Sequence, residues 1–262
     1  MIYISQSKIF YYLPTSYPNR FKMHISTDIG GTFTDFVILE DDELKTYKLP
    51  STPKNPSLAV KQGLERLEKV KPDILSHGTT VATNAVLERK GARCALITTK
   101  GFKDILTIAR QKRPSLYDFS FLRPEPYVER ELCFEVDERI SAEGEVLEDL
   151  NDEELEVLKE NLEKMGVEAI AISLLFSFLR PEHEKRIAEM LKDWPLSLSS
   201  EVLPEFREYE RTSTTVFDAY VKPIVSSYIS EIERAFKRRF YIMQSNGGVT
   251  TSNVAREKPI NI

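Results

Sequence analysis

Residues 28–35 read Asp-Ile-Gly-Gly-Thr-Phe-Thr-Asp and lie between two apolar runs, 25–29 and 36–39. Two such runs joined through a Gly-Gly pair predict the tip of a tight β-hairpin. Gly30 and Gly31 are expected to supply positive φ and bare backbone there. On this reading a valine at position 31 could not form the turn. Consecutive N–H groups exposed in such a turn make a concavity that suits an anion, phosphate above all. Thr32 and Thr34 add hydroxyl donors, and Asp28 and Asp35 add carboxylates able to hold a hydrated Mg²⁺. A Gly-Gly hairpin turn alone is common. Acids and hydroxyls on both flanks favour the phosphate reading.

The chain has 262 residues, 41% of them hydrophobic and 29% charged, with a formal net charge of −5. This is the composition of an ordinary globular protein, without the basic footprint of a nucleic-acid binder. Cys94 and Cys133 are the two cysteines, which reads as buried thiols in a reducing, cytoplasmic setting rather than a disulfide framework. No apolar run approaches the roughly 18 residues of a membrane span. Residues 1–22 are rich in Tyr and Ser, lack a clear period and carry no small-residue cleavage site. They read as an extension outside the fold, with the functional protein starting at Met23.

Beyond the hairpin a third strand is expected over 44–49, and Asn55-Pro56 opens a helix. A short strand from Ile74 ends at His77-Gly78, and Thr79 or Thr80 caps a helix through Leu87. Residues 93–98 are strand-like, and Gly101 leads into a short helix. The stretch 111–127 is an aromatic, proline-rich loop long enough to be functional. Asn151 with Glu154 predicts a capping box on a helix ending at Gly166. Residues 167–178 read as one buried central strand, and Pro181 opens a helix through Leu191. A long helix is expected over about 207–237, with a broad apolar stripe and a kink or break at Pro223. A last strand over 241–244 leads into a turn. The alternation of strands and helices after an antiparallel opening implies an α/β fold with a mixed sheet.

His77 ends a strand just before Gly-Thr-Thr at a helix start, where backbone N–H groups favour an anion. A general base or substrate contact and a packed core histidine are both open for it. Asn84 either shares that pocket or satisfies backbone. Arg110 and Arg113, with Gln111, read as a bidentate grip on carboxylate or phosphate, against the alternative of surface salt bridges. His24 and His183 read as bland, the second on a charged helix face. No spacing resembles a zinc site.

Five segments, in order, carry a resemblance: DIGGTFTD (28–35), HGTTVATNAVLERKGA (77–92), ITTKGFKDILTIARQKRPSLYD (97–118), SSEVLPEFREYERTSTTVFDAY (199–220) and IMQSNGG (242–248). The chain resembles the hydantoinase A and 5-oxoprolinase family, within the actin-like ATPase superfamily. The resemblance implies an RNase-H-like (actin-like ATPase) mixed sheet with flanking helices, forming the N-terminal lobe of a two-lobed enzyme. Residues 23–202 would be the family's N-terminal domain and 203–262 the start of the next. It also implies ATP and Mg²⁺, used to open a small cyclic amide such as hydantoin, N-methylhydantoin or 5-oxoproline. Asp28 then corresponds to the metal position, and Gly30, Gly31, Thr32, Phe33 and Thr34 to the ATP cradle. His77 and Asp35 are the implied catalytic residues, with orientation of the hairpin equally open for Asp35. Thr79, Thr80, Asn84, Arg110 and Arg113 are the implied substrate contacts.

The family carries a second Asp-x-Gly-Gly-Thr-type loop, and none occurs here. The chain is therefore expected to supply one jaw of a clamp, inactive alone, with a second polypeptide supplying the other. Unpaired apolar surface is expected around Tyr220 to Phe236, where that jaw would pack. The alternatives are a non-catalytic truncated fragment, or one subunit of a split enzyme or acetone-carboxylase-like complex. A kinase of the same superfamily is disfavoured by the HGTT and ARQKRP segments.

Overall fold

Alternation of apolar and polar side chains over residues 23–40 leaves β-structure as the conformation that buries one face. The computed structural model describes residues 23–262 except 42, 53–54, 67–71, 113–116, 118–119 and 121–123. Expectations for residues 1–22 and Arg113 lie outside the described residues. Two compact units share the chain: the described residues up to Asn84 together with Ile224–Ile262, and Ala85–Pro223.

In the first unit, β1 (Met23–Ile29) and β2 (Phe33–Glu40) form the expected hairpin, with Asp28 opposite Asp35 and Ile29 opposite Thr34. β3 (Glu43–Pro50) continues the meander. Helix α1 (Pro56–Arg66) starts at the proposed proline. β4 (Ile74–Gly78) then pairs parallel to β1, and helix α2 (Val81–Leu87) leads out of the unit.

The second unit opens with β5 (Cys94–Thr99) and α3 (Ile105–Ile108), followed by β6 (Cys133–Val136) and the ribbon of β7 (Arg139–Ile140) and β8 (Val146–Glu148). α4 (Asp152–Lys164), β9 (Ala169–Ser173), α5 (Glu182–Met190), β10 (Leu196–Leu198) and α6 (Ser199–Val202) follow. Its sheet has the order β10-β9-β5-β6, all parallel. β5 and β9 are buried at every position, as strands covered on both faces must be.

Helix α7 (Glu208–Ala235) returns the chain to the first unit. There β11 (Arg239–Met243) joins parallel to β4, and β12 (Val249–Thr251) pairs antiparallel to β11, before α8 (Ser252–Glu257). The sheet order is β12-β11-β4-β1-β2-β3. An antiparallel three-strand meander with two further strands parallel to its first is the RNase-H-like arrangement expected from the sequence. The whole second unit is spliced between β4 and β11.

Several local expectations need correction. β9 stops at Ser173 rather than running to 178, because Leu174 N–H goes to Glu184 Oε1 and Leu175 N–H to Thr99 Oγ1. The chain then reverses through Phe176, at φ 55°. Asn151 caps α4 through Glu153 N–H, but Glu154 closes no capping box; its carboxylate accepts from Asp137 N–H. Helix α7 is unbroken at Pro223, and its apolar stripe is buried on both sides of the ring, at Val221 and Val225. That burial offsets the roughly 3 kcal/mol an interior proline costs. The apolar surface expected to be unpaired is covered as well: Tyr220, Tyr228, Ile232 and Phe236 are all 6% exposed or less. His183 is buried rather than bland, with Nδ1 2.8 Å from Glu138 Oε2 and Nε2 3.1 Å from Asp149 Oδ1. Cys94 and Cys133 are free and buried. Among the described residues no helix is long and apolar enough to cross a membrane.

Gly63 on α1 shows how closely the first unit packs. A Cβ there would come within 2.0 Å of the Phe36 ring. That ring is fully buried and stacked on Tyr47 at 4.5 Å, so it has nowhere to swing. Overpacking costs about 1–3 kcal/mol and more when contacts are this short, against roughly 1 kcal/mol of helix propensity gained. Gly63→Ala is therefore expected to lower the thermal midpoint, read by circular dichroism. An unchanged midpoint would show that Phe36 yields.

Candidate functional site

The hairpin tip and the end of β4 meet because β1 pairs with both strands. Asp28 faces Asp35 across the antiparallel ladder and Gly78 across the parallel one. Its carboxylate lies over the Gly78 backbone: a Cβ at 78 would sit 2.9 Å from Asp28 Oδ1. Burial, and then the nearby Asp35, push the Asp28 carboxyl above its ordinary range. A carboxylate in such surroundings gains from a cation. Asp35 is half-exposed and paired with Lys48 Nζ at 2.9 Å.

Gly30, Gly31, Thr32 and Phe33 are all exposed at the tip. Gly30 N–H is spent on the Phe33 carbonyl at 3.0 Å, and the Gly30 carbonyl accepts from Ser51 Oγ at 2.7 Å. Neither Gly30 nor Gly31 has the positive φ expected of it. Gly30 is required by close approach, since its Cβ would meet Phe33 O at 3.1 Å, whereas nothing lies within 4 Å of a Cβ at Gly31. Glycine at 31 leaves space open rather than relieving backbone strain. Thr34 differs from its neighbours: it is fully buried, and its hydroxyl bonds Ser51 Oγ at 3.1 Å. It braces the hairpin from inside.

His77 is fully buried, with Nδ1 2.6 Å from Thr27 Oγ1 and Nε2 bonded to the Tyr228 hydroxyl. Burial lowers its pKa from 6.5 to about 3, so the ring is neutral at physiological pH. Both ring nitrogens are engaged inside the protein, which is the geometry of a packed core histidine. Tyr228 also bonds the Thr79 side chain, and burial raises its own pKa. Thr79 Oγ1 accepts from Val81 N–H at 3.2 Å, capping α2. Thr80 and Asn84 are exposed and bonded to each other, Nδ2 to Oγ1 at 3.3 Å.

Arg110 belongs to the second unit, where its Nε bonds Glu210 Oε1 at 2.6 Å. Among the described residues there is no group of three or more His, Cys, Asp or Glu side chains able to cage a metal. Sequence reasoning missed Thr27, Ser51 and Tyr228. Tyr228 was legible only as one member of the apolar stripe of α7, and no motif marks Ser51, which reaches the tip from beyond β3.

Residues 24–194 match the family model described as the hydantoinase/oxoprolinase N-terminal region, and residues 211–262 match the hydantoinase/oxoprolinase model. The chain belongs to the hydantoinase/oxoprolinase family. It is 42% identical over 251 residues to an uncharacterised protein of Methanocaldococcus jannaschii, covering 90% of this chain and 37% of that one. Against the caprolactamase subunit alpha of Pseudomonas jessenii it is 32% identical over 261 residues, again covering 90% of this chain and 37% of the relative. The crystal structure of the ATP-dependent caprolactamase from that organism superposes with a TM-score of 0.82 over 91% of this chain and 38% of the other. A nucleotide-free acetone carboxylase structure superposes with a TM-score of 0.78 at 25% identity, over 92% of this chain and 39% of that one. The chain thus spans little more than a third of the length of these relatives.

The sign of the His77 shift fixes a pH dependence. The folded ring stays neutral down to about pH 3, while the unfolded ring takes a proton near 6.5. Stability is therefore lost as pH falls from 6.5 towards 3. His77→Gln removes this proton uptake. The excess unfolding free energy of the wild type over that variant is expected to shrink by about 1.4 kcal/mol between pH 7.5 and 5.5, read by urea denaturation. A constant difference would mean that the ring is charged in the folded protein.

Proposed function

We propose that this chain is the nucleotide-phosphate-holding portion of an ATP-dependent hydantoinase/oxoprolinase-type enzyme that activates the carbonyl of a small cyclic amide. The observation that carries this reading is the Asp28 carboxylate laid over Gly78 beside the exposed Gly30-Gly31-Thr32 tip. The donor set fits the ligand. Gly30 N–H is committed to Phe33, so the phosphate-facing donors are assigned to the Gly31 and Thr32 backbone and the Thr32 hydroxyl. Asp28 is assigned to Mg²⁺. A single carboxylate suits that ion, which keeps waters and takes its remaining ligands from phosphate rather than from a protein cage. Bound MgATP would supply the phosphoryl-transfer chemistry that makes an amide carbonyl, a poor target for water, reactive.

The protein's own residues then divide by task. Asp28 holds the metal and Gly78 keeps the space beneath it clear. Thr34 and Ser51 fix the hairpin tip, and Asp35, held by Lys48, is assigned an orienting role. His77 is a positioning residue, since it carries no free nitrogen to the site. Thr79 joins the Tyr228 hydroxyl to the cap of α2, and the exposed Thr80 and Asn84 are assigned to substrate contact.

A second reading is a subunit role within a larger assembly, supported by relatives that include a caprolactamase subunit alpha and by the share of their length that this chain spans. Residues 23–202 and 203–262 are proposed as the two successive parts of the family's architecture. The substrate choice between a hydrolysed cyclic amide and a carboxylated ketone follows from that assembly.

Asp28→Asn is expected to abolish Mg²⁺-dependent ATP binding in calorimetric titration with the melting curve retained, and unchanged affinity would refute the metal assignment. Gly31→Val separates space from strain. Because a Cβ there meets nothing and φ is not positive, the thermal midpoint is expected to stay put while ATP affinity falls about tenfold or more, as for lost charge-assisted bonds to phosphate. Loss of folding in Gly31→Val would restore the strained-turn view.

A further inference from the structure

The second unit holds a cavity of about 400 Å³ beside α3, built without any part of the hairpin site. Tyr127, Tyr209 and Phe217 wall it, and Arg110, Gln111 and Lys112 lie at its edge. The volume falls in the range of small-molecule pockets, which pair aromatic walls with a few polar groups. Tyr127 packs edge-on against Phe217, with ring centroids 4.7 Å apart, so the wall is already assembled. The charged residues lining the cavity are Arg110, Lys112 and Glu125, and Glu210 pairs with Arg110 from beside it.

The backbone supplies a second, independent observation. Ala109, at φ 50° and ψ −140°, and Gln111, at φ 53°, flank Arg110 on both sides. Two non-glycine residues in the left-handed half of φ cost of order 1–3 kcal/mol each and persist where function holds them. Arg110 bonds Glu210 through Nε and lies over the Tyr209 ring, 5.9 Å from its centroid. A guanidinium carries further N–H donors on its two terminal nitrogens, in the planar fork that matches a carboxylate.

We propose that this pocket binds a small planar ring bearing one anionic group, the ring between the aromatic walls and the anion at Arg110 and Lys112. Neither part suffices alone. An acetate ion leaves the apolar wall unfilled, and an uncharged ring makes no charge-assisted bond to Lys112 or to the terminal guanidinium nitrogens of Arg110, whose Nε is held by Glu210.

The test uses the full chain and ligand-detected saturation-transfer NMR, with benzoate and phenylacetate as probes and acetate and benzyl alcohol as controls. Benzoate or phenylacetate is expected to bind about tenfold more tightly than either control, and Arg110→Ala to weaken that binding about tenfold. Arg110 is exposed, so its removal should leave the melting curve in place. Ser213→Phe, which fills the cavity from α7, is expected to abolish probe binding, with Arg110→Ala keeping the proposal testable should that variant unfold. Acetate binding as tightly as benzoate, an unchanged affinity in Arg110→Ala, or no ring carboxylate bound at about 10 mM would each overturn the assignment. ATP binding at the hairpin is untouched by every outcome.

Discussion

The imidazole of His77 has no solvent to turn to, and the hairpin site depends on how it is satisfied. A buried ring nitrogen without a partner costs about 1–3 kcal/mol, so Thr27 on β1 and Tyr228 on α7 must each stand where a bond can form. Thr27 and His77 are register partners on adjacent parallel strands. Fixing that pair also fixes the next one along, which is Asp28 opposite Gly78. A slip of one residue would turn every side chain of β1 to the other face. It would put Asp28 in the core and the buried Ile29 in its place. The histidine thus helps specify the register that brings a carboxylate over bare backbone, through bonds to Thr27 and Tyr228. Neutrality is part of the device, because an imidazolium in this setting would need a buried counter-charge.

The hairpin, the α2 cap and most strand positions were legible because period-two alternation and local cap chemistry are written within a few residues of where they act. Thr79 before Val81 and Asn151 before Asp152 are examples. Errors arose where a side chain is claimed by a residue far away in sequence. Glu154 looked like a local capping partner and was taken by Asp137. The apolar run 167–178 looked like one strand, but Glu184 and Thr99 captured its amides after Ser173. His183 looked like a surface residue because its neighbours in sequence are charged, whereas Glu138, 45 residues away, holds it. The roles of Gly31 and Thr34 were equally hidden. Their composition matched a phosphate loop, but only the backbone shows that one offers space and the other braces the turn.

The second unit uses buried carboxylates differently from the first. In a doubly wound sheet the crevice at the carboxyl ends of strands, where chain direction reverses, is the usual ligand site. In the order β10-β9-β5-β6 that point lies between β5 and β9. Here the protein fills it with its own groups. Glu138 takes the Thr99 hydroxyl and His183, while Glu184 takes Leu174 N–H, Ser199 Oγ and Ser200 N–H. With every acceptor engaged, that crevice has little left to offer a ligand. The cavity beside α3 lies further along the connection that leaves β5, where strained backbone and aromatic walls keep space open.

Splicing a complete parallel sheet between β4 and β11 places a constraint on assembly. β11 must find β4 in register, Ile242 against His77, across a separation of 165 residues. Loop-closure entropy grows only logarithmically, about 0.6 kcal/mol for each doubling of the loop, so the penalty on stability is small. The kinetic cost is larger, since long-range parallel pairing is slow and leaves the β4 edge exposed meanwhile. A second unit that closes on itself shortens the effective loop to whatever α2 and α7 leave between their ends. The Ala92 N–H donates to the Tyr220 carbonyl at 2.9 Å, and Gly91 leaves room for the Tyr220 ring where a Cβ would lie 2.0 Å from it. These contacts tie the beginning of the second unit to its end, close to where the chain leaves and re-enters the first. Loop closure therefore favours forming the inserted unit, its two ends held together, before β11 docks on β4 and Tyr228 reaches His77.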